Sequence, residues 1–110
     1  MAYYHAIEFI ETSIFTKQVL KLLPDYSYRI LQSTLMLNPG AGAMIKGSGG
    51  IRKTRWNLPG AGKRGALRVI YYFDQPETIY MLFMYKKNEQ EDLTPEQVKI
   101  LKRALKENLL

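Results

Sequence analysis

The sequence RKTRWNLPGAGKRGALRVIYYF, which spans Arg52–Phe73, decides the fold that we expect for this protein. Residues Ile51–Trp56 and Ala66–Phe73 are rich in β-branched and aromatic side chains, a composition that favours strands. The loop between them contains glycine and proline, so we expect an antiparallel hairpin. The quoted stretch carries six basic residues and no acidic one. Two strands do not need so many cations to fold, and the charge therefore indicates a negatively charged ligand.

One strand and two helices are predicted before the hairpin. His5–Glu11 alternates imperfectly between apolar and polar residues, which predicts a short strand. Apolar residues then recur at helical spacing up to Pro24, which ends the first helix. A second helix is expected from about residue 25 to the Asn-Pro-Gly sequence after Leu37. The glycine-rich connection at 40–50 shows no periodicity, and we expect a flexible loop there.

A third strand and a last helix follow the hairpin. A turn at Asp74–Glu77 leads into TIYMLFMY, so the three strands form an antiparallel meander. Thr94 and Gln97 form a capping box around Pro95 at the start of the last helix. The sequence thus predicts one α+β domain over residues 1–110. Its small antiparallel sheet contains the N-terminal strand plus the three-strand meander, with two N-terminal helices on one face and a C-terminal helix.

The positive charge is concentrated in the middle of the chain. The 48 residues between Asp25 and Asp74 contain no acidic residue and carry a charge of +8, whereas the rest of the chain carries −2. Such a field attracts polyanions and speeds their encounter with the protein. We therefore expect a nucleic acid or a ribosomal partner rather than a small apolar substrate.

Composition excludes several other classes of protein. The chain has no cysteine, so disulfides and thiolate metal sites are excluded, which fits a cytoplasmic protein. The first residues do not resemble a signal peptide, and no apolar run is long enough to span a membrane. His5 is the single histidine, and we expect it to be a structural strand residue. We expect no bound metal, no cofactor and no membrane partner.

The loop of the hairpin contains a motif that is misleading. GAGKRG matches the glycine spacing of a dinucleotide-binding fingerprint. In that fingerprint a helix follows the glycines, and its N-terminus binds the phosphates. Here a strand follows, so we interpret the glycines as loop residues.

Alternation along the strands sorts the cations onto one face of the sheet. Lys53 and Arg55 point to the face opposite Trp56. If Trp56 packs under the helices, the basic face is open, and pairing with the next strand can bring Arg68 beside the other two cations. A solvated face that carries cations for solubility is the alternative, but such faces usually contain both signs of charge.

Three segments of the chain resemble one protein family. GGIRKTRW, GKRGALRVIYYF and YMLFMYKKNEQEDLTPEQ are similar to the toxins of type II toxin–antitoxin modules in the RelE/HigB superfamily. The basic loop fits the HigB-like subgroup, and the resemblance covers nearly the whole chain. It implies a metal-independent endoribonuclease that cleaves mRNA in the A site of the 30S subunit and so inhibits translation. It also implies a cognate antitoxin, expected to be of the helix-turn-helix type.

The resemblance also implies roles for individual residues. Arginine stays charged and can bind two phosphate oxygens, and a lysine among other cations can transfer a proton. The residues expected to act in catalysis are Lys53, Arg55, Arg68 and Lys87. The residues expected to bind RNA or the ribosome are Arg52, Lys63, Arg64, Lys86 and Tyr85.

The general base is left open by the sequence. The family's tyrosine base aligns with Leu93, which cannot accept a proton. Lys53, Tyr72 and Tyr85 are the candidates that remain.

Two other functions remain compatible with the fold. One is that of a ParE-like toxin, which inhibits DNA gyrase and is not a nuclease, although ParE-like members generally lack the basic cluster of Lys53, Arg55 and Arg68. The other is that of an RNA-binding module without cleavage.

Overall fold

The computed structural model of the protein describes residues 6–57 and 66–109. His5 and the loop residues Lys63 and Arg64, for which the sequence made predictions, lie outside the described residues. The helices and strands of the described part are β1 Glu8–Glu11, α1 Ser13–Leu22, α2 Asp25–Leu37, β2 Ala43–Met44, β3 Ile51–Asn57, β4 Ala66–Asp74, β5 Thr78–Lys86 and α3 Pro95–Leu109. Within the described ranges, no helix has the length and apolar character needed to cross a membrane.

The described strands form one mixed sheet in the order β1-β5-β4-β3-β2. β3, β4 and β5 are the predicted antiparallel meander. β1 is also confirmed, but it pairs with β5 in the parallel direction, whereas a purely antiparallel sheet was expected. The partners of β1 lie about seventy residues along the chain, so no local pattern reveals their direction.

A short strand, β2, occupies the connection that was expected to be a flexible loop. Ala43 and Met44 pair with Lys53 and Arg52 of β3. The turn that follows is held by the Ser48 hydroxyl, which donates to the carbonyl of Ile45 at 2.6 Å. A strand of two residues is too short to show an alternating pattern, which explains why the sequence did not predict it.

The sheet is covered on both faces. On one face, α1 and α2 pack on β4 and β5, and the buried residues there are Phe15, Val19, Leu23, Leu31, Leu35, Leu67, Val69, Tyr71, Ile79, Met81 and Met84. On the other face, Leu101 and Leu105 of α3 pack near Ile51, Ile70 and Leu82. The basic face is therefore only partly open, since α3 covers one portion of it.

A bulge in β5 separates the two ends of the sheet. Ile70 pairs with Phe83 but Tyr71 pairs with Met81, so Leu82 is the extra residue of β5. Beyond the end of β1, the side-chain amide of Gln18 replaces a strand partner: it donates to the Met84 carbonyl and accepts from the Met84 N–H, both at 2.8 Å. A helix side chain thus satisfies the backbone of β5 where no strand reaches it.

The start of α3 is confirmed as predicted. The Gln97 N–H donates to the Thr94 hydroxyl oxygen at 3.1 Å, and the Thr94 N–H donates to the Gln97 side-chain oxygen at 2.9 Å. This capping box fixes the direction in which the chain enters α3 after the turn at 87–92.

We expect Gln18→Ala to lower the free energy of unfolding by about 2 kcal/mol, because it leaves a part-buried backbone N–H and C=O of Met84 without partners. Urea denaturation of the two proteins measures the difference. Lys17→Ala, at an exposed position of the same helix, is the control and is expected to stay within about 0.5 kcal/mol of the parent. Equal effects of the two substitutions would show that the amide does not support β5.

Candidate functional site

The register of β3, β4 and β5 brings the predicted cations together. Arg55 lies directly opposite Arg68, and Arg68 lies directly opposite Tyr85. Lys53 is two residues from Arg55 on the same strand and therefore points to the same face. Ile70, which shares that face, packs in the cluster under α3. The site is thus on the face of the sheet that α3 partly covers, and we call Lys53, Arg55, Arg68 and Tyr85 the basic row.

Two polar atoms of the basic row are buried without a partner. Among the residues described, neither Nη1 of Arg68 nor the hydroxyl of Tyr85 makes a hydrogen bond. Tyr85 is only 4% exposed. A buried polar group that lacks a partner costs about 1–3 kcal/mol, so native proteins rarely contain one without a functional reason. Both atoms have almost no solvent-accessible area, so a hydrogen-bonding ligand can complete them only when the side chains that cover them move aside.

The electrostatic surroundings keep the phenol of Tyr85 in its neutral form. Burial raises the pKa of Tyr85, and the negative charge of Asp92 raises it further, while Lys53 and Arg68 oppose this shift. A phenol with a raised pKa stays protonated at neutral pH and acts as a hydrogen-bond donor. Tyr85 is therefore suited to donate to an anion bound at Arg68.

Asp92 is a member of the site that the sequence did not identify. Its Oδ1 lies 2.8 Å from Nζ of Lys53. The hydrogen bond and the charge of Lys53 hold the pKa of Asp92 below its usual value, and Arg68 contributes in the same direction. Nothing local in the segment NEQED indicates a partner 39 residues away. Lys53 is thus neutralised within the protein, while the described structure gives Arg55 and Arg68 no ion pair.

The turn that carries Asp92 is fixed by the capping box of α3. The side-chain nitrogen of Gln90 donates to the Asp92 carbonyl at 2.9 Å and to the Gln97 side-chain oxygen at 3.0 Å. The N–H groups of Glu89 and Gln90 both donate to the carbonyl of Lys86, the last residue of β5. The position of the carboxylate therefore depends on both β5 and α3.

Two of the predicted RNA-binding residues do not join the basic row. Arg52 pairs with Tyr71, whose side chain lies in the α1–α2 core, and its Nη1 donates to the carbonyls of Gly40 and Gly42 at 3.0 and 2.7 Å. Lys86 lies opposite Leu67 of the same core. Both side chains therefore belong to the other face, and the contacts of Arg52 anchor the connection before β2.

The remaining predicted residues lie at the margins of the site. Lys87 is exposed just after β5, where its N–H donates to the carbonyl of Ala66 at 3.1 Å. Tyr72 and Leu93 are both partly buried against the cluster under α3. Leu93, which the sequence resemblance aligns with the expected base, is an apolar contact of the cluster under α3.

Comparisons with known proteins agree with this fold. The family model described as the RelE toxin of the RelE / RelB toxin-antitoxin system matches residues 41–109. Among solved structures, a mutant of E. coli toxin RelE in the free state is similar with a TM-score of 0.54 and 16% identity, covering 78% of this chain and 88% of that chain. The structural likeness shows a shared fold, and the HigB-like subgroup stays a prediction. The family match spans more than half of the chain and includes the whole basic row and Asp92, and the protein therefore belongs to the RelE toxins of toxin–antitoxin systems.

Proposed function

We propose that the protein is a ribosome-dependent mRNA endoribonuclease that inhibits translation and is neutralised by a cognate antitoxin. The observation that carries the proposal is the pair of buried polar atoms, Arg68 Nη1 and the Tyr85 hydroxyl, next to Arg55 and Lys53. A phosphodiester in an mRNA supplies the acceptor oxygens and the negative charge that these groups lack.

The proposed reaction is a transesterification that needs no metal. The 2′-oxygen attacks the neighbouring phosphorus, the bond from phosphorus to the 5′-oxygen breaks, and the products carry a 2′,3′-cyclic phosphate and a free 5′-hydroxyl. A base removes the 2′ proton, and an acid protonates the leaving 5′-oxygen. Negative charge on the phosphorane oxygens is greatest in the transition state, where preorganised donors are most effective.

The positions of the residues in the basic row suggest which of them binds the phosphate and which transfers a proton. Arg68 and Arg55 are opposite one another, so both guanidiniums can bind the non-bridging oxygens of one phosphate. Tyr85 remains neutral because its pKa is raised, and it donates a hydrogen bond to the same phosphate. We assign to Lys53, whose ammonium is paired with the carboxylate of Asp92, the role of the acid that protonates the leaving 5′-oxygen. As a cation it cannot also be the base that takes the 2′ proton, and that base is left unassigned.

The ribosome and the antitoxin are the proposed partners. The net charge of +6 favours encounter with ribosomal RNA and mRNA, and we place Lys63, Arg64 and Lys87 among the residues that contact them in the A site. An antitoxin, proposed to be of the helix-turn-helix type, can neutralise the toxin by covering the basic row with acidic side chains or by blocking access to the ribosome.

We expect Arg68→Ala to abolish growth arrest and to reduce mRNA cleavage by about 100-fold or more, because it removes a donor to the transition state. Primer extension on mRNA from cells that express each variant measures cleavage. Arg29→Ala is the matched control, since Arg29 is exposed on α2 and pairs only with Asp25 in the described structure. Normal cleavage by Arg68→Ala would contradict the proposed site.

The same expression experiment separates the proposed activity from the alternatives. An abrupt halt of translation with new mRNA 5′ ends supports the nuclease. A DNA-damage response without such ends would instead identify a gyrase inhibitor, and protection of ribosome-bound mRNA without cleavage would identify an RNA-binding module.

We expect Tyr85→Phe to affect stability and activity in opposite directions. Removal of a buried hydroxyl that lacks a partner should leave the free energy of unfolding unchanged or raise it by about 1 kcal/mol. Cleavage should fall by about tenfold to 100-fold, because the phosphate loses a donor. Urea denaturation and primer extension measure the two effects.

Tyr80→Phe is the control for this substitution, because Tyr80 lies on the same strand and is paired with Tyr72, away from Arg68. A Tyr85→Phe variant that is destabilised by more than about 1 kcal/mol while its cleavage is unchanged would show that the hydroxyl is structural.

A further inference from the structure

A cavity of about 580 Å³ lies beside the basic row, between the segment that contains β2 and the start of α3. Part of its lining is apolar and includes Ile45, Leu93 and Val98. Its volume is in the range of about 300–1,000 Å³ that is typical of small-molecule sites. None of the functional steps above uses the apolar part of this cavity.

The cavity and the basic row share two residues. Lys53 and Asp92 line the cavity, and the charge of Arg68 acts on the carboxylate of Asp92. A phosphate bound at Arg68 would therefore lie near two residues of the cavity lining, Lys53 and Asp92.

A hydrogen bond and a strand pairing hold the two walls of the cavity in place. Lys102 of α3 donates a hydrogen bond from Nζ to the carbonyl of Gly47 at 3.1 Å, which connects the two walls. Gly47 and Gly49 have φ values of 74° and 77°, a backbone conformation that disfavours other residues. β2 pairs with β3 and holds the other end of this segment.

The polar groups of the cavity fit a nucleotide. Lys46, Lys99 and Lys102 line it together with Lys53 and can face the phosphates on either side of a base. Among the described residues that line it, Asp92 alone is acidic. A carboxylate can accept about four hydrogen bonds, and Lys53 uses one of them.

We propose that this cavity receives the base of a nucleotide adjacent to the cleaved phosphate, and that Asp92 selects bases with an exocyclic amino group. The inference rests on the proposed nuclease function. Apolar side chains enclose the faces of the base, as in enzymes that bind an unstacked base in a pocket. Adenine, cytosine and guanine each carry an amino donor that a carboxylate can accept. Uracil has no amino group, and the one donor of its pairing edge, N3–H, lies between two carbonyl oxygens that the carboxylate repels.

Two substitutions test the cavity through the base preference of cleavage rather than its rate. Val98→Trp fills the cavity, and Asp92→Asn replaces the acceptor by a group that is both donor and acceptor. Sequencing of mRNA 5′ ends from expressing cells gives the frequency of each base beside the cut. We expect the wild-type protein to disfavour uracil by about fivefold or more at one adjacent position and both variants to lose this discrimination.

Ile100→Trp is the matched control, because Ile100 is exposed on the same helix and does not line the cavity. It should cleave with the wild-type base preference. The absence of any preference against uracil in the wild-type protein, or an unchanged preference in a folded Val98→Trp variant, would overturn the proposal.

A binding experiment distinguishes failure of the cavity from failure of the nuclease. NMR titration of the full chain with AMP, CMP or UMP follows the methyl groups of Leu93 and Val98. We expect saturable shifts with AMP and CMP and at least fivefold weaker binding of UMP, whether or not the protein cleaves mRNA. Equal binding of UMP, or no shift at these methyls with any of the three, would overturn the cavity proposal and leave the role of Arg68 untouched.

Discussion

The repulsion between Arg55 and Arg68 is the constraint around which the rest of the structure is organised. The two residues are direct partners across β3 and β4, and like charges in that position destabilise a sheet. Arg68 and Tyr85 add buried polar atoms without partners to this cost. The stability that offsets it comes from the two apolar clusters on opposite faces of the sheet, in which residues such as Phe15, Val69 and Ile70 are completely buried.

This arrangement explains why the strands that carry the basic row are so firmly supported. β4 is central in the sheet and is paired along its whole length with β3 and β5. Gln18 satisfies β5 beyond the end of β1, one residue before Tyr85, and the capping box of α3 fixes the turn after it. A cation on a rigid strand loses little conformational entropy when a phosphate binds. The free-energy cost of ordering the site is therefore incurred when the protein folds and not when RNA binds.

Much of the fold was predictable because its signals are local. A composition rich in β-branched and aromatic residues predicts β4 and β5, and Thr94 with Gln97 predicts the start of α3, since each signal involves residues close together in the sequence. The parallel pairing of β1 depends on contacts about seventy residues away. β2 has only two residues, a single period of strand alternation, which is too little for a pattern to be recognised.

The candidate site was predictable to a similar degree. Strand alternation placed Lys53, Arg55 and Arg68 on one face, and the register joined them as expected. The sequence did not reveal Asp92, because its contact with Lys53 joins a turn to a strand across the fold. The same alternation places Arg52 on the face opposite Lys53 and Arg55. The hydrogen bonds of Arg52 to Gly40 and Gly42, however, depend on the tertiary structure.

The central claim is that an RNA phosphate completes the hydrogen bonds that Arg68 and Tyr85 lack. It is tested most directly by a structure of the protein on a ribosome whose A-site codon carries 2′-deoxy nucleotides and cannot be cleaved. We expect one phosphate to lie within about 3 Å of both Arg68 Nη1 and the Tyr85 hydroxyl. A codon bound in the A site with both atoms still unpartnered, and its phosphates held by another part of the protein, would contradict the account.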